Sequence, residues 1–187
     1  MNFRNLDIAG LVEVVPTRIE DPRGYFSETY RENELHEQAS PVHFVQENES
    51  LSVACGTIRG LHFQVAPFAQ GKLVKCLAGS VYDVAVDLRK GSATFGKWTS
   101  LTLASEVGNQ LWIPPGFAHG FCTLEANSVL SYKVTAYYSA PSDRGLAWND
   151  PELAIDWPSC AAPETISAKD KQLPALSKLP SHFDIES

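Results

Sequence analysis

Short alternations of apolar and polar positions dominate this chain, and helical periods are rare. In the stretch Val81 to Leu88, residues Tyr82, Val84, Val86 and Leu88 alternate with Val81, Asp83, Ala85 and Asp87. A period of two describes a strand with two unlike faces. Comparable runs are Leu11 to Val15, Phe44 to Ala54, Thr57 to Gln64, Lys72 to Ala78, Trp98 to Leu103, Gln110 to Ile113, Phe117 to Leu124 and Val129 to Tyr138. Cys55-Gly56 breaks the chain between two of them. Gly79-Ser80, between Lys72–Ala78 and Val81–Leu88, has the length and residue types of a two-residue hairpin turn. The one early segment with helical character is Arg31 to Gln38, short and polar. From Ser139 onward Pro141, Pro151, Pro158, Pro163, Pro174 and Pro180 interrupt any long element. That stretch reads as a Pro-rich tail of loops and a helical turn or two, laid on the strands. Nine or so short strands in one domain predict an all-β fold, a jelly-roll barrel or sandwich with few short helices.

Composition narrows the functional classes. At 187 residues with 44% hydrophobic positions the chain can fill a single core. Its 15 Lys and Arg against 22 Asp and Glu give a net charge of −7, which argues against nucleic acid and against a polybasic membrane anchor. The N-terminal MNFRNLDIAGLVEVV carries no apolar core behind a basic start, and no window approaches the ~18 apolar residues of a membrane-spanning helix. The expectation is a cytoplasmic protein that contacts neither membrane nor nucleic acid. Cys55, Cys76, Cys122 and Cys160 form no CxxC pair and no zinc-ligand spacing, so they read as free thiols. Cys76 and Cys122 lie in apolar runs and should pack as small hydrophobes.

Polar chemistry concentrates in two places. Gly56-Thr-Ile-Arg-Gly-Leu-His-Phe-Gln64 carries Arg59, His62 and Gln64 on one strand-like segment, as either an exposed edge or the lining of a polar cavity. Arg59 and His62 have opposite parity, so a regular strand would separate them onto two faces. A bulge at Gly60 would bring them together. The second place is Pro114-Pro-Gly-Phe-Ala-His-Gly120, which has the P-x-G-x-x-H spacing of the second half of a cupin signature. The first half would need H-x-H and a later Glu; here it is His62-Phe63-Gln64, with no Glu in the following dozen positions. His62 and His119 without a carboxylate make a poor transition-metal site, so no metal and no cofactor is expected.

Several longer motifs carry a specific resemblance. GTIRGLHFQ, FAQGKLVKCLAGSVYDVAVDLRKGSATFGKW, QLWIPPGFAHGF, YKVTAYYS and RGLAWNDPELAIDWP resemble the dTDP-4-dehydrorhamnose 3,5-epimerase family across roughly residues 18 to 175. The resemblance implies a single metal-free cupin-type jelly roll over 1–187 that forms a homodimer, with an N-terminal extension used in dimerisation and the tail beginning near 139. It implies epimerisation at C3 and C5 of dTDP-4-keto-6-deoxyglucose, on the way to dTDP-L-rhamnose. Both carbons flank the C4 ketone, so their protons are weakly acidic. A base, an enolate stabiliser and an acid on the opposite face complete the reaction. By resemblance His62 is the base, Asp170 its partner, Lys72 the cation near the C4 oxygen and Tyr132 the proton donor.

The same resemblance assigns substrate contacts to Arg23, Phe26 and Glu28 in an early loop, and to Gln46, Asn48, Arg59, His119, Asp143 and Lys169. Tyr138 is matched to the aromatic that stacks on thymine. Part of this site is implied to come from the other subunit. Asp143 stands where the family usually has Glu, and Glu49 where His is common. Three alternatives remain at this level: an epimerase of C3 or C5 alone, a non-catalytic sugar-nucleotide-binding cupin, and a metal-dependent cupin dioxygenase.

Overall fold

Strands account for most of the regular secondary structure, as the alternation predicts. The computed structural model describes residues 1–39 and 41–184. The strands are β1 (Asn2–Asn5), β2 (Val12–Val15), β3 (Arg18–Asp21), β4 (Gly24–Ser27), β5 (Gln46–Ser52), β6 (Ile58–Gln64), β7 (Lys72–Ala78), β8 (Ser80–Asp87), β9 (Arg89–Lys90), β10 (Trp98–Ala104), β11 (Gln110–Ile113), β12 (Phe117–Thr123), β13 (Ser128–Val134), β14 (Asp143–Gly145) and β15 (Phe183–Asp184). Among the described residues there is one α-helix, α1, which spans Glu32–Gln38. Two sheets carry the fold, in the orders β1-β2-β11-β7-β13-β5 and β10-β8-β12-β6-β14. β3 and β4 form a separate hairpin, and β9 pairs with β15.

The period-two faces explain how the sheets stack. Val81 and Ala85 of β8 join Val74 and Cys76 of β7, Phe117 and Phe121 of β12 and Leu130 of β13 in one buried cluster between the sheets. The other face of β8, with Val84 and Val86, meets Leu61, Phe63, Leu146 and Leu153. Ile155, Trp157, Leu176 and Leu179 of the tail cover that layer. Trp112, Leu73, Val12 and Val14 on the outer face of the larger sheet are covered by Leu35 of α1, Val42 and Phe44. Each sheet therefore has both faces buried over much of its area, which is why β11 and β12 read as almost unbroken apolar runs.

The hairpin expected at Gly79-Ser80 does not form. β7 pairs with β11 and β13, whereas β8 pairs with β10 and β12 in the opposite sheet. Gly79, at φ +71°, turns the corner between sheets, and a Cβ there would sit 2.6 Å from Ser128 Oγ. A short Gly-Ser link fits a corner as well as a hairpin turn, and only the pairing partners distinguish them. The last strand before the tail is also shorter than expected. β13 stops at Val134, so Tyr137 and Tyr138 lie on a loop. The tail itself contains β14, which adds to the edge of β6 through Asp143↔Gln64 and Gly145↔His62, and four 3-10 turns. β6 is consequently covered on both edges rather than exposed. Among the described residues, no helix is long and apolar enough to cross a membrane.

Candidate active site

A cleft of about 640 Å³ opens between the two sheets, and Phe121 and Tyr132 of its lining border the apolar cluster. The residues singled out from the sequence line it, with the exception of Arg23, Phe26 and Glu28. β6 brings Arg59 and His62 there together, and its backbone shows how. His62 pairs with His119 of β12, but Arg59 pairs with Phe121, so three steps on β6 oppose two on β12. The extra residue is a bulge at Gly60, whose φ is +116°. A Cβ at Gly60 would lie 2.6 Å from Gly120 Cα and 2.8 Å from the His119 carbonyl oxygen. Glycine is required by both the close approach and the left-handed backbone. The parity conflict between Arg59 and His62 is thereby resolved.

His62 Nε2 lies 2.7 Å from Asp170 Oδ1. Asp170 is buried, and its backbone N–H donates to Ser167 Oγ at 3.0 Å. An ionised Asp170 requires the proton on Nε2, which leaves the lone pair on His62 Nδ1. Burial pulls the imidazole pKa below its ordinary value, while Asp170 opposes the shift. The ring is therefore mostly neutral at pH 7 and competent as a base.

Lys72 is buried at the start of β7 and donates to the His62 carbonyl oxygen at 3.2 Å. Burial lowers its pKa to about 8, against the pull of Asp83 and Asp143. Tyr132 enters from β13 on the larger sheet, opposite the sheet that carries His62. Burial raises its phenol above the usual tyrosine range, so it is protonated at neutral pH and available as a donor.

A second His–Asp pair stands beside the first. His119 Nε2 lies 3.0 and 2.9 Å from the two carboxylate oxygens of Asp83, which is fully buried on β8. Asp83 was not singled out from the sequence. The signal was nonetheless present: a carboxylate on the face of β8 that otherwise supplies Val81 and Ala85 to the core. Gln64, also buried, has a structural task at the rim. Its Nε2 donates to the Phe68 and Tyr137 carbonyl oxygens at 2.7 and 3.1 Å, and its Oε1 accepts from the Ser139 N–H at 2.7 Å. Thus the position where a cupin metal ligand would stand holds the loop that presents Tyr138. Among the described residues, no group of three or more His, Cys, Asp or Glu side chains is placed to hold a metal ion.

The cleft mouth is polar. Tyr138 is exposed, its N–H donates to Gln46 Oε1 at 3.0 Å, and Gln46 Nε2 donates to Asn48 Oδ1 at 2.7 Å. Asp143 holds the Lys169 ammonium and accepts from the Tyr138 hydroxyl at 3.3 Å. Arg59 is fixed by Ser52 Oγ at 3.0 Å and the Leu51 carbonyl oxygen at 2.9 Å.

The family model for dTDP-4-dehydrorhamnose 3,5-epimerase matches residues 5–178. This chain belongs to that family. A dTDP-4-dehydrorhamnose 3,5-epimerase of Sinorhizobium fredii is 54% identical over 183 residues, covering 98% of this chain and 93% of the relative. The crystal structure of a dTDP-6-deoxy-D-glucose-3,5-epimerase from Legionella pneumophila, in complex with dTDP-4-keto-L-rhamnose, superposes with a TM-score of 0.92 at 40% identity and covers 100% of this chain and 99% of that one. A Bacillus anthracis dTDP-4-dehydrorhamnose 3,5-epimerase with TDP and pyrophosphate bound gives 0.89 at 44% identity, covering 93% and 98%. The fold is the cupin fold of these epimerases.

Within this epimerase fold, Arg23, Phe26 and Glu28 stand apart from the cleft. Arg23 pairs with Asp21 and Glu28 with Arg31, both on the surface. Phe26 is 70% exposed, next to Tyr25 at 58%. Glu49 alternates with Gln46 and Asn48 along β5 and is exposed, outside the cleft lining.

Proposed function

We propose that this epimerase-family chain inverts C3 and C5 of dTDP-4-keto-6-deoxyglucose to give dTDP-4-keto-L-rhamnose. The observation that carries the reading is the His62–Asp170 pair, 2.7 Å apart, facing a cleft whose opposite wall supplies Tyr132. At each centre the C–H bond breaks, its proton passes to His62 Nδ1, and the electron pair moves onto the C4 oxygen. Lys72, itself buried, stabilises that oxyanion as an ammonium. Tyr132 returns a proton to the opposite face, and solvent restores both residues. Asp170 holds the tautomer and supports the imidazolium while it exists. His119, backed by Asp83, and Arg59 hold the substrate. Tyr138 stacks on the base, with Gln46, Asn48, Asp143 and Lys169 around the nucleotide end. No metal or cofactor has a part in these steps.

The dTDP-4-keto-L-rhamnose bound in the Legionella relative and the TDP and pyrophosphate bound in the Bacillus one support a dTDP-sugar as the ligand here. The exposed β3–β4 hairpin, with Ile19, Tyr25 and Phe26 on its surface, fits against a second copy. In such a homodimer Arg23, Phe26 and Glu28 reach the partner's cleft. The same reading places the enzyme in the cytoplasm with its nucleotide-sugar substrate.

The test is incubation with dTDP-4-keto-6-deoxyglucose in D2O, followed by NMR. Deuterium at both C3 and C5 of an L-configured product is expected. Label at one carbon only would make the chain a single-centre epimerase, and no exchange would overturn the enzymatic reading.

A further inference from the structure

Three of the four cysteines meet on the face of the smaller sheet opposite the cleft, although they lie far apart in sequence. Cys55 precedes β6, Cys122 is in β12 and Cys160 is in the tail. Their sulfurs lie 3.8, 3.7 and 3.8 Å from one acceptor, the Thr123 carbonyl oxygen. The Cys55 sulfur also lies 3.2 Å from the Leu124 carbonyl oxygen, the residue after Thr123. Cys55 and Cys160 are exposed, whereas Cys122 is buried.

The backbones around Cys55 and Cys160 run against each other. The Ala162 N–H donates to the Gly56 carbonyl oxygen at 2.9 Å, and a Cβ on Gly56 would lie 2.0 Å from the Cys160 carbonyl oxygen. This is a docked contact. It continues into the segment that carries Lys169 and Asp170: Thr165 Oγ1 accepts from the Ile58 N–H at 3.1 Å, and Ile166 is buried against Ile58 and Cys122.

We propose that Cys55 and Cys160 form a reversible disulfide, made by exchange with a small-molecule disulfide, that latches the Asp170-bearing segment to the start of β6. Cys160, exposed on its loop, attacks first as the thiolate. Its sulfur bonds to one sulfur of the small disulfide, the original S–S bond breaks, and one small thiol leaves with a proton. Cys55 then attacks the Cys160 sulfur and expels the second small thiol. Two protein thiols are oxidised and one small disulfide is reduced to two thiols. Cys122 stays reduced because it is buried and its thiol pKa is driven up to about 12. Cys55 takes the second step because its sulfur shares the Thr123 carbonyl oxygen with Cys160 and stands beside the mixed disulfide once that forms. The bond closes a loop of about 105 residues, in the range where a cross-link removes most entropy from the unfolded chain. Residues 160–166 are already seated on the barrel, so the latch preserves the Asp170 geometry. Its formation does not depend on the proposed reaction, although its benefit to Asp170 does.

The test incubates the folded protein with mixed oxidised and reduced glutathione, then quenches with acid and maps peptides without reduction. A Cys55–Cys160 cross-linked peptide is expected, with a rise in Tm of roughly 5–10 °C that reductant reverses. Cys122→Ser keeps the cross-link. Cys55→Ser and Cys160→Ser each lose it and leave glutathione on the remaining exposed cysteine. Separate glutathione adducts on Cys55 and Cys160 with no link, or a Cys122–Cys160 bond in its place, would overturn the proposal.

Discussion

The Lys72 ammonium donates to the main-chain oxygen of His62 at 3.2 Å, so the cation on one sheet is tied to the backbone of the base on the other. Their titrations set opposite requirements. His62 must be neutral, and its pKa is lowered by burial, so activity falls only when the pH drops below the ordinary histidine value of about 6.5. Lys72 must be charged, and its pKa is about 8, so activity falls again as the pH rises through that value. Tyr132 cannot supply this alkaline limb, because burial raises its phenol above the usual value of about 10. A bell-shaped kcat/KM profile is expected, with its alkaline limb near pH 8. In Lys72→Arg, whose guanidinium does not titrate in this range, that limb should vanish even if the rate is lower. An alkaline limb that stays near pH 8 in Lys72→Arg would assign it to another group.

Removing the base should stop exchange altogether. His62→Ala is expected to lose deuterium incorporation at both carbons, since His119 is occupied by Asp83 and is the one other imidazole in the cleft lining. Asp170→Asn keeps the size of the partner but cannot support an imidazolium. Exchange in that variant should fall by on the order of 10²–10⁴, the usual worth of positioned acid–base groups. Wild-type exchange in His62→Ala would transfer the base role to His119.

The bulge at Gly60 makes a stability prediction. Gly60→Ala forces a Cβ to within 2.6 Å of Gly120 Cα and demands a left-handed backbone from an L-residue. A loss of at least about 2 kcal/mol is expected, a fall in Tm of about 4–8 °C. Thermal unfolding checks it. A variant as stable as the parent would mean that β12 can retreat from β6.

These residues also mark what the sequence made legible. The longer strands β5 to β8, β10, β12 and β13, with β2 and β11, followed from alternation, because a strand with one face on each side of a sheet must alternate; the short β1, β3, β4, β9, β14 and β15 did not, and the β3–β4 hairpin was expected as a loop. Sheet membership did not follow, because Gly79-Ser80 has the same local chemistry in a corner as in a hairpin. The conflict of parity at Arg59 and His62 was readable, and its solution at Gly60 was too, because glycine is the residue a bulge selects. Asp83 was passed over as part of a two-faced strand, although a carboxylate between Val81 and Ala85 needs a buried partner; that the partner is His119, 36 residues on, follows only from the β8–β12 pairing. Arg23, Phe26 and Glu28 came from motif resemblance alone, and a single chain leaves them on the surface. Asp170 lies 108 residues from His62, and no local pattern connects the two.

Tyr138 offers a test of the nucleotide end. Its loop is held by Gln46 and Gln64, so the ring is presented by fixed backbone rather than by side-chain packing. Tyr138→Ala should weaken dTDP binding by on the order of 1–3 kcal/mol, the range for base–aromatic stacking. Calorimetry that finds unchanged affinity would place the base elsewhere in the cleft.

The two walls of the cleft separate the two halves of the chemistry. Inversion requires that the proton removed and the proton returned lie on opposite faces of the sugar, so one residue cannot efficiently perform both transfers. His62 projects from β6 of the smaller sheet and Tyr132 from β13 of the larger one, and both line the same cleft. Tyr132→Phe removes one hydroxyl and keeps the ring that packs against the apolar cluster, so the fold should survive. Proton abstraction does not need the phenol. The variant should therefore still exchange deuterium into substrate at C3, C5 or both, while the doubly inverted sugar forms ~10²–10⁴-fold more slowly. Exchange is read by NMR and product by its configuration, in the same sample. Wild-type yields of the L-sugar from Tyr132→Phe would make Tyr132 a packing residue and move the donor role to Lys72 or solvent. Loss of exchange together with product would instead make the phenol part of the first step, and the assignment of one wall to each half-reaction would fail.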